Sequence, residues 1–156
     1  MILRKAEIND TEGIGEVLRQ SYNIQSTEEG MQVFEDEMRK GSHYIVAFED
    51  SKIAGIASWV VRGLLKHQLA ELDRIAVLPE YKGKGIAVEL FEYLKKDAQE
   101  FYLSKGFTLR KVYLCVHATN ARAQQFYKKI GFSHEASLPS HYYDGVDEYV
   151  FSMFLK

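Results

Sequence analysis

The chain has 156 residues, the size of one domain, with 46% apolar and 27% charged residues and a net charge of −2. That balance gives no basic footprint for nucleic acid, and no apolar stretch is long enough to span a bilayer or to serve as a signal peptide. Cys115 is the only cysteine, so neither an internal disulfide nor a zinc-ligand spacing is expected, and a reducing cytoplasm suits the chain.

In chain order, residues 2–6 read as a short strand. Asp10 is placed to cap a helix whose apolar stripe is Ile14, Val17, Leu18 and Tyr22. Ser26 and Glu29 have the spacing of a capping box, opening a second helix with Met31, Phe34 and Met38 on one side. Apolar runs at 44–48 and 53–61 flank the turn Glu49, Asp50, Ser51, Lys52 and read as a hairpin. A third central strand, 69–78, leads into Pro79 and a glycine-rich turn. The helix that follows, to about residue 104, carries Leu90, Phe91, Leu94, Ala98 and Phe101 on its apolar side. A strand at 109–117 and a helix at 120–130 come next, with Gly131 as a left-handed terminator. Strands at 132–138 and 149–155 close the chain. No repeat, linker or low-complexity tract interrupts this order. The expectation is one domain, 1–156, of mixed α/β (α+β) class built on a central sheet.

The turn Lys82, Gly83, Lys84, Gly85, Ile86, Ala87 lies between a strand and a helix, which aims backbone N–H groups and the positive end of a helix dipole at one point. Gly83 and Gly85, lacking Cβ, let an anion approach the main chain, and two lysines add charge. Neither standard nucleotide loop fits: no Gly-Lys-Ser/Thr ending is present, and Val88 stands where the third glycine of G-x-G-x-x-G belongs. The residues alone fit a phosphate cradle or an ordinary turn before a solvated helix.

Two further segments narrow the choice. The run Ala70, Glu71, Leu72, Asp73, Arg74, Ile75, Ala76, Val77 precedes the turn, and Asn120 opens a segment ending Phe126-Tyr127-Lys128-Lys129-Ile130-Gly131-Phe132. With Lys82-x-x-Gly85-x-Ala87 between them, they resemble the Gcn5-related N-acetyltransferase (GNAT) superfamily, whose loop follows Gln/Arg-x-x-Gly-x-Gly/Ala. Lys82 in place of Gln or Arg is the one departure in the loop. The resemblance covers essentially the whole chain and implies a central mixed sheet with two splayed strands, flanked by about four helices. It implies acetyl-CoA as co-substrate, with the pyrophosphate on the amides and side chains of 82–87. The pantetheine arm would pair with the main chain of Ile75, Ala76 and Val77 as an added strand, and Asn120 would hydrogen-bond the same arm while also capping its helix.

The implied chemistry is direct acetyl transfer from a thioester to an amine. Only a neutral amine is a nucleophile: a lysine-like amine of pKa about 10.4 is neutral in roughly one molecule per few thousand at pH 7, whereas an α-amine near 8 loses far less. Such a site needs a weak acid for the departing thiolate and a proton acceptor for the amine. By resemblance, Tyr127 is the acid. Glu71 matches the strand carboxylate that histone-type members use as base. Glu71, Asp73 and Ile75 alternate onto one face unless a bulge intervenes. Either acid could instead pair with Arg74, Lys66 or a histidine. In ribosomal-protein alanine acetyltransferases and related N-terminal enzymes a Glu on the later strand is the base, and its position matches Cys115, a poor substitute at an ordinary thiol pKa. His117 shares that face and reads as a satisfied surface histidine or as a relay. The tail His141, Tyr142, Tyr143, Asp144, Gly145 resembles the strand-joining loop of those N-terminal enzymes. The resemblance implies an amine acceptor, either a small amine or polyamine or a protein N-terminus or lysine, and no metal. It leaves a homodimer open, and a degenerate domain that only senses acyl-CoA is the alternative.

Overall fold

The computed structural model describes residues 1–155. A seven-stranded sheet runs β1-β2-β3-β4-β5-β7-β6. Its strands are β1 (Ile2–Lys5), β2 (His43–Glu49), β3 (Lys52–Arg62), β4 (Leu69–Val77), β5 (Lys111–His117), β6 (Ser133–Tyr143) and β7 (Val146–Phe154). All neighbours are antiparallel except β4 and β5. The α-helices are α1 (Thr11–Ser21), α2 (Thr27–Arg39), α3 (Ile86–Ser104) and α4 (Ala121–Lys129). Among the described residues no helix is long and apolar enough to cross a membrane.

Opposite faces of the sheet are covered by α2 and α3. Tyr44 and its neighbour His43 point to opposite sides, as successive strand residues must. Tyr44 meets Phe34 of α2 edge-on, at 5.0 Å, while His43 meets Phe101 of α3 at 4.8 Å. On the α3 side, fully buried Trp59 stacks on His43 at 4.1 Å and donates from Nε1 to Asp97. Lys5 closes the buried Asp97 carboxylate from the other side at 3.2 Å. Helices α1 and α2 cross at two glycines. A Cβ on Gly30 would overlap the Gly15 carbonyl oxygen, so the helices can meet backbone to backbone only with glycine there.

Most local expectations hold. Asp50 and Ser51 take φ of 53° and 61°, the paired left-handed values of a two-residue hairpin turn. The side chain of Ser26 accepts from the Glu29 amide, but Glu29 reaches back to the amide of Gln25, one residue earlier than a capping box requires. Asp10 does sit at the start of α1, yet its side chain caps nothing there. Its carboxylate is buried, takes both guanidinium nitrogens of Arg4 at 2.8 and 2.9 Å, and accepts the Glu7 amide. Burial works to raise its pKa, and these donors more than offset that, leaving it lowered. The final hairpin is longer than its apolar pattern suggested. Strand β6 runs through Pro139 to Tyr143, tolerated because β6 is the outer strand and pairs on one side only.

Candidate active site

Parallel pairing between β4 and β5 is confined to Leu69, Ala70 and Glu71 opposite Lys111, Val112 and Tyr113. Beyond that point β4 continues to Val77 and β5 to His117 without pairing, so the two strands splay. On its other side β4 carries one extra residue: Trp59 faces Leu72 and Ser58 faces Arg74, leaving Asp73 as the bulge. Alternation therefore breaks at Asp73. Four successive residues, Glu71, Leu72, Asp73 and Arg74, all line one cleft of about 670 Å³.

The rest of that cleft comes from far along the chain. The end of α1 and the start of α2 contribute Tyr22 and Glu29, β5 contributes Cys115 and His117, and the terminal hairpin contributes Tyr142, Tyr143 and Glu148. Glu71 is not free. Its Oε1 accepts from Arg62 Nε at 2.6 Å and from the Tyr113 hydroxyl at 3.3 Å, while Oε2 has no partner among the described residues. Asp73 is solvent-accessible yet hemmed in by the cleft walls, and its carboxylate makes no ion pair or side-chain hydrogen bond among the described residues. Desolvation, reinforced by the charges of Glu37 and Glu71, raises its pKa. The Cys115 thiol is pushed up to about 11 by burial, then by Glu71 and Glu148, so it stays protonated at neutral pH. His117 is satisfied, as one of the two expectations had it, but its partner is a carboxylate that is 5% exposed: Nδ1 lies 2.6 Å from Glu148 Oε2.

Tyr127, on α4, packs edge-on against Phe126, Phe132 and Phe151, and its hydroxyl makes no hydrogen bond among the described residues. Burial pushes its pKa up to about 12, which keeps the phenol a donor. Gly131, with φ of 112°, ends α4 as expected, and Phe132 N–H bonds back to the Tyr127 carbonyl. Asn120 caps α4 through Oδ1 to the Ala123 amide, leaving its own N–H donors unused among the described residues.

At the other end of the open edge, Gly83 and Gly85 have φ of 83° and 78°, and a Cβ at either would meet nothing within 4 Å. No side chain caps α3. Lys82 and Lys84 form no ion pair among the described residues, and Lys84 lies over the Tyr81 ring at 5.4 Å. An uncapped helix start, two left-handed glycines in open space and two unpaired cations are what a pyrophosphate requires. The residues present fit acetyl-CoA. Among the described residues no three His, Cys, Asp or Glu side chains gather as metal ligands would.

A splayed parallel pair, a turn of two open left-handed glycines and a carboxylate-lined cleft match what the sequence resemblance implies for an acyl-CoA-dependent transferase. The Acetyltransferase (GNAT) family pattern matches residues 11–132. An N-alpha-acetyltransferase of Saccharolobus solfataricus is 31% identical over 120 residues, 70% of this chain and 68% of that protein. The spermidine N(1)-acetyltransferase of Escherichia coli is 36% identical over 80 residues, 49% of this chain and 38% of that enzyme. Among solved structures, an aminoglycoside 6'-N-acetyltransferase complexed with coenzyme A matches with a TM-score of 0.82 at 15% identity, over 99% of this chain and 97% of the other. The chain belongs to the GNAT family and is an N-acetyltransferase, with acetyl-CoA as the donor that membership implies.

The sequence allowed for a bulge in this strand without placing it at Asp73, and the partners Arg62, Glu37 and Glu148 escaped it. The bulge follows from the register with β3, and the partners from contacts distant in sequence. The one usable signal was the density of acids and tyrosines in the tail.

Proposed function

We propose that this acetyltransferase binds acetyl-CoA along the open edge of β4 and acetylates an α-amine, the free N-terminus of a peptide or protein. On this reading the amides of 82–87, with Lys82 and Lys84, hold the pyrophosphate. The main chain of Ile75, Ala76 and Val77 and the spare amide donors of Asn120 hold the pantetheine arm. The bound thioester supplies an activated acetyl group. Tyr127, protonated at neutral pH, donates a hydrogen bond to the departing sulfur.

The two carboxylates divide their work. Glu71, tied to Arg62 through Oε1, offers Oε2 to hold the incoming ammonium. Asp73, unpaired and raised in pKa, takes the proton, because a base works best when its pKa approaches the working pH.

One observation carries the preference for an α-amine: the cleft has no base aimed at a strongly protonated acceptor. The thiol that stands where related enzymes place a glutamate stays protonated, His117 is engaged by Glu148, and what remains on β4 is a pair of carboxylates. A site without a strong base needs an acceptor that is partly neutral already, as an α-amine near pKa 8 is and a lysine amine is not. Similarity to the N-alpha-acetyltransferase supports the same reading. The second reading, a polyamine, rests on the acids Glu29, Glu71, Asp73 and Glu148 along the cleft and on the likeness to the spermidine enzyme. Thiol release from acetyl-CoA, measured across N-terminal peptides and polyamines, separates the two. The α-amine reading expects peptides to show the higher kcat/KM, and turnover of polyamines alone overturns it.

A further inference from the structure

Where β5 leaves β4, the main chain of Ile75 loses its strand neighbour on that side, and buried main-chain groups need partners. One side chain supplies both. The Tyr22 hydroxyl accepts from the Ile75 amide at 3.1 Å and donates to the Ile75 carbonyl at 3.3 Å. A single phenol oxygen thus does what one residue of an added strand would do.

Tyr22 is held there from behind. The Arg74 guanidinium lies 4.7 Å over its ring, Glu37 grips that guanidinium at 2.8 and 3.0 Å, and the Tyr44 hydroxyl donates to Glu37 at 2.6 Å. Burial raises the Tyr22 pKa, so the hydroxyl keeps its proton. Tyr22 also lines the acceptor cleft, which it shares with Glu71 and Asp73. Among the described residues no other side chain both hydrogen-bonds the open edge at Ile75 and lines that cleft.

We propose that Tyr22 is a positioning residue that couples the two substrates. Its hydroxyl keeps the place of the pantetheine arm at Ile75 and yields it when acetyl-CoA arrives. The released hydroxyl then faces the cleft and hydrogen-bonds the incoming amine. The proposal rests on the arm pairing with Ile75, as read above. It requires that donor binding precede productive amine binding.

The test is Tyr22→Phe, which keeps the ring and its packing under Arg74. Without the competing hydroxyl, CoA is expected to bind about tenfold more tightly by calorimetry, the size of one net hydrogen bond. At saturating acetyl-CoA, kcat/KM for the amine is expected to fall about tenfold. A tyrosine that only supports the fold would weaken both, and weaker or unchanged CoA binding overturns the proposal. A second measurement on the wild-type chain, labelled with 15N-isoleucine, follows the Ile75 amide during CoA titration. A shift of that resonance confirms the arm at this edge. If CoA binds and the Ile75 amide does not respond, the placement of the arm itself fails, and the role of Tyr22 falls with it.

Discussion

Two polar regions of the sheet are built to opposite rules. On the α3 side, the Asp97 carboxylate is closed by Trp59 Nε1 and Lys5, and His43 lies flat on the Trp59 ring. In the cleft, the Asp73 carboxylate and one oxygen of Glu71 are left without protein partners among the described residues, and so is the Tyr127 hydroxyl on α4. Unmet hydrogen-bonding capacity in a cleft costs stability and is kept where a substrate can use it. The first region is closed within the fold, and under the proposed function the second meets its partners in the substrates.

Substitutions can break that contrast, and the largest effect is expected in the closed region. Trp59→Ala removes a fully buried indole from an aromatic cluster and is expected to cost about 3–5 kcal/mol in denaturant unfolding. Tyr127→Phe, on α4, removes a hydroxyl with no protein partner among the described residues. It should leave the melting temperature nearly unchanged while kcat falls about 10²-fold or more. If Tyr127→Phe destabilises the fold and spares kcat, Tyr127 belongs with the packed region instead.

Asp73→Asn sharpens the same contrast by moving rate and stability in opposite directions. A raised carboxyl pKa means the folded chain holds this proton more tightly than the unfolded chain, so ionising Asp73 works against folding once pH exceeds the unfolded value of about 3.9. The Asn variant is expected to be more stable than wild type at neutral pH and to lose that advantage in acid. Its kcat should fall about 10²-fold, and the acid limb of the wild-type pH–rate profile, where Asp73 takes up its proton, should disappear. Equal melting temperatures at both pH values, with an unchanged profile, would remove Asp73 from the transfer.

Much of this contrast was legible in the residues, and the limits are physical. The turn at 82–87, the Asn120 cap and the Gly131 terminator are local, so glycines and caps announce them. Helix α2 was readable from Ser26, but its approach to α1 depends on Gly15 and Gly30, which periodicity does not bring together. Glu71 and Asp73 could be picked out as acids on a central strand. Their different states could not, because Arg62 reaches Glu71 across the β3–β4 pair while Asp73, at the bulge, finds no partner among the described residues. Tyr22 read as part of an apolar helical stripe, and only the splay gives its hydroxyl a main chain to bond.

Amide hydrogen exchange with and without CoA tests the central claim most directly, namely that the donor lies along β4 and over the glycine turn. The account predicts new protection at residues 75–77 and at 83–87, with the closed region around Trp59 unchanged. Binding of CoA without protection at both segments would contradict it.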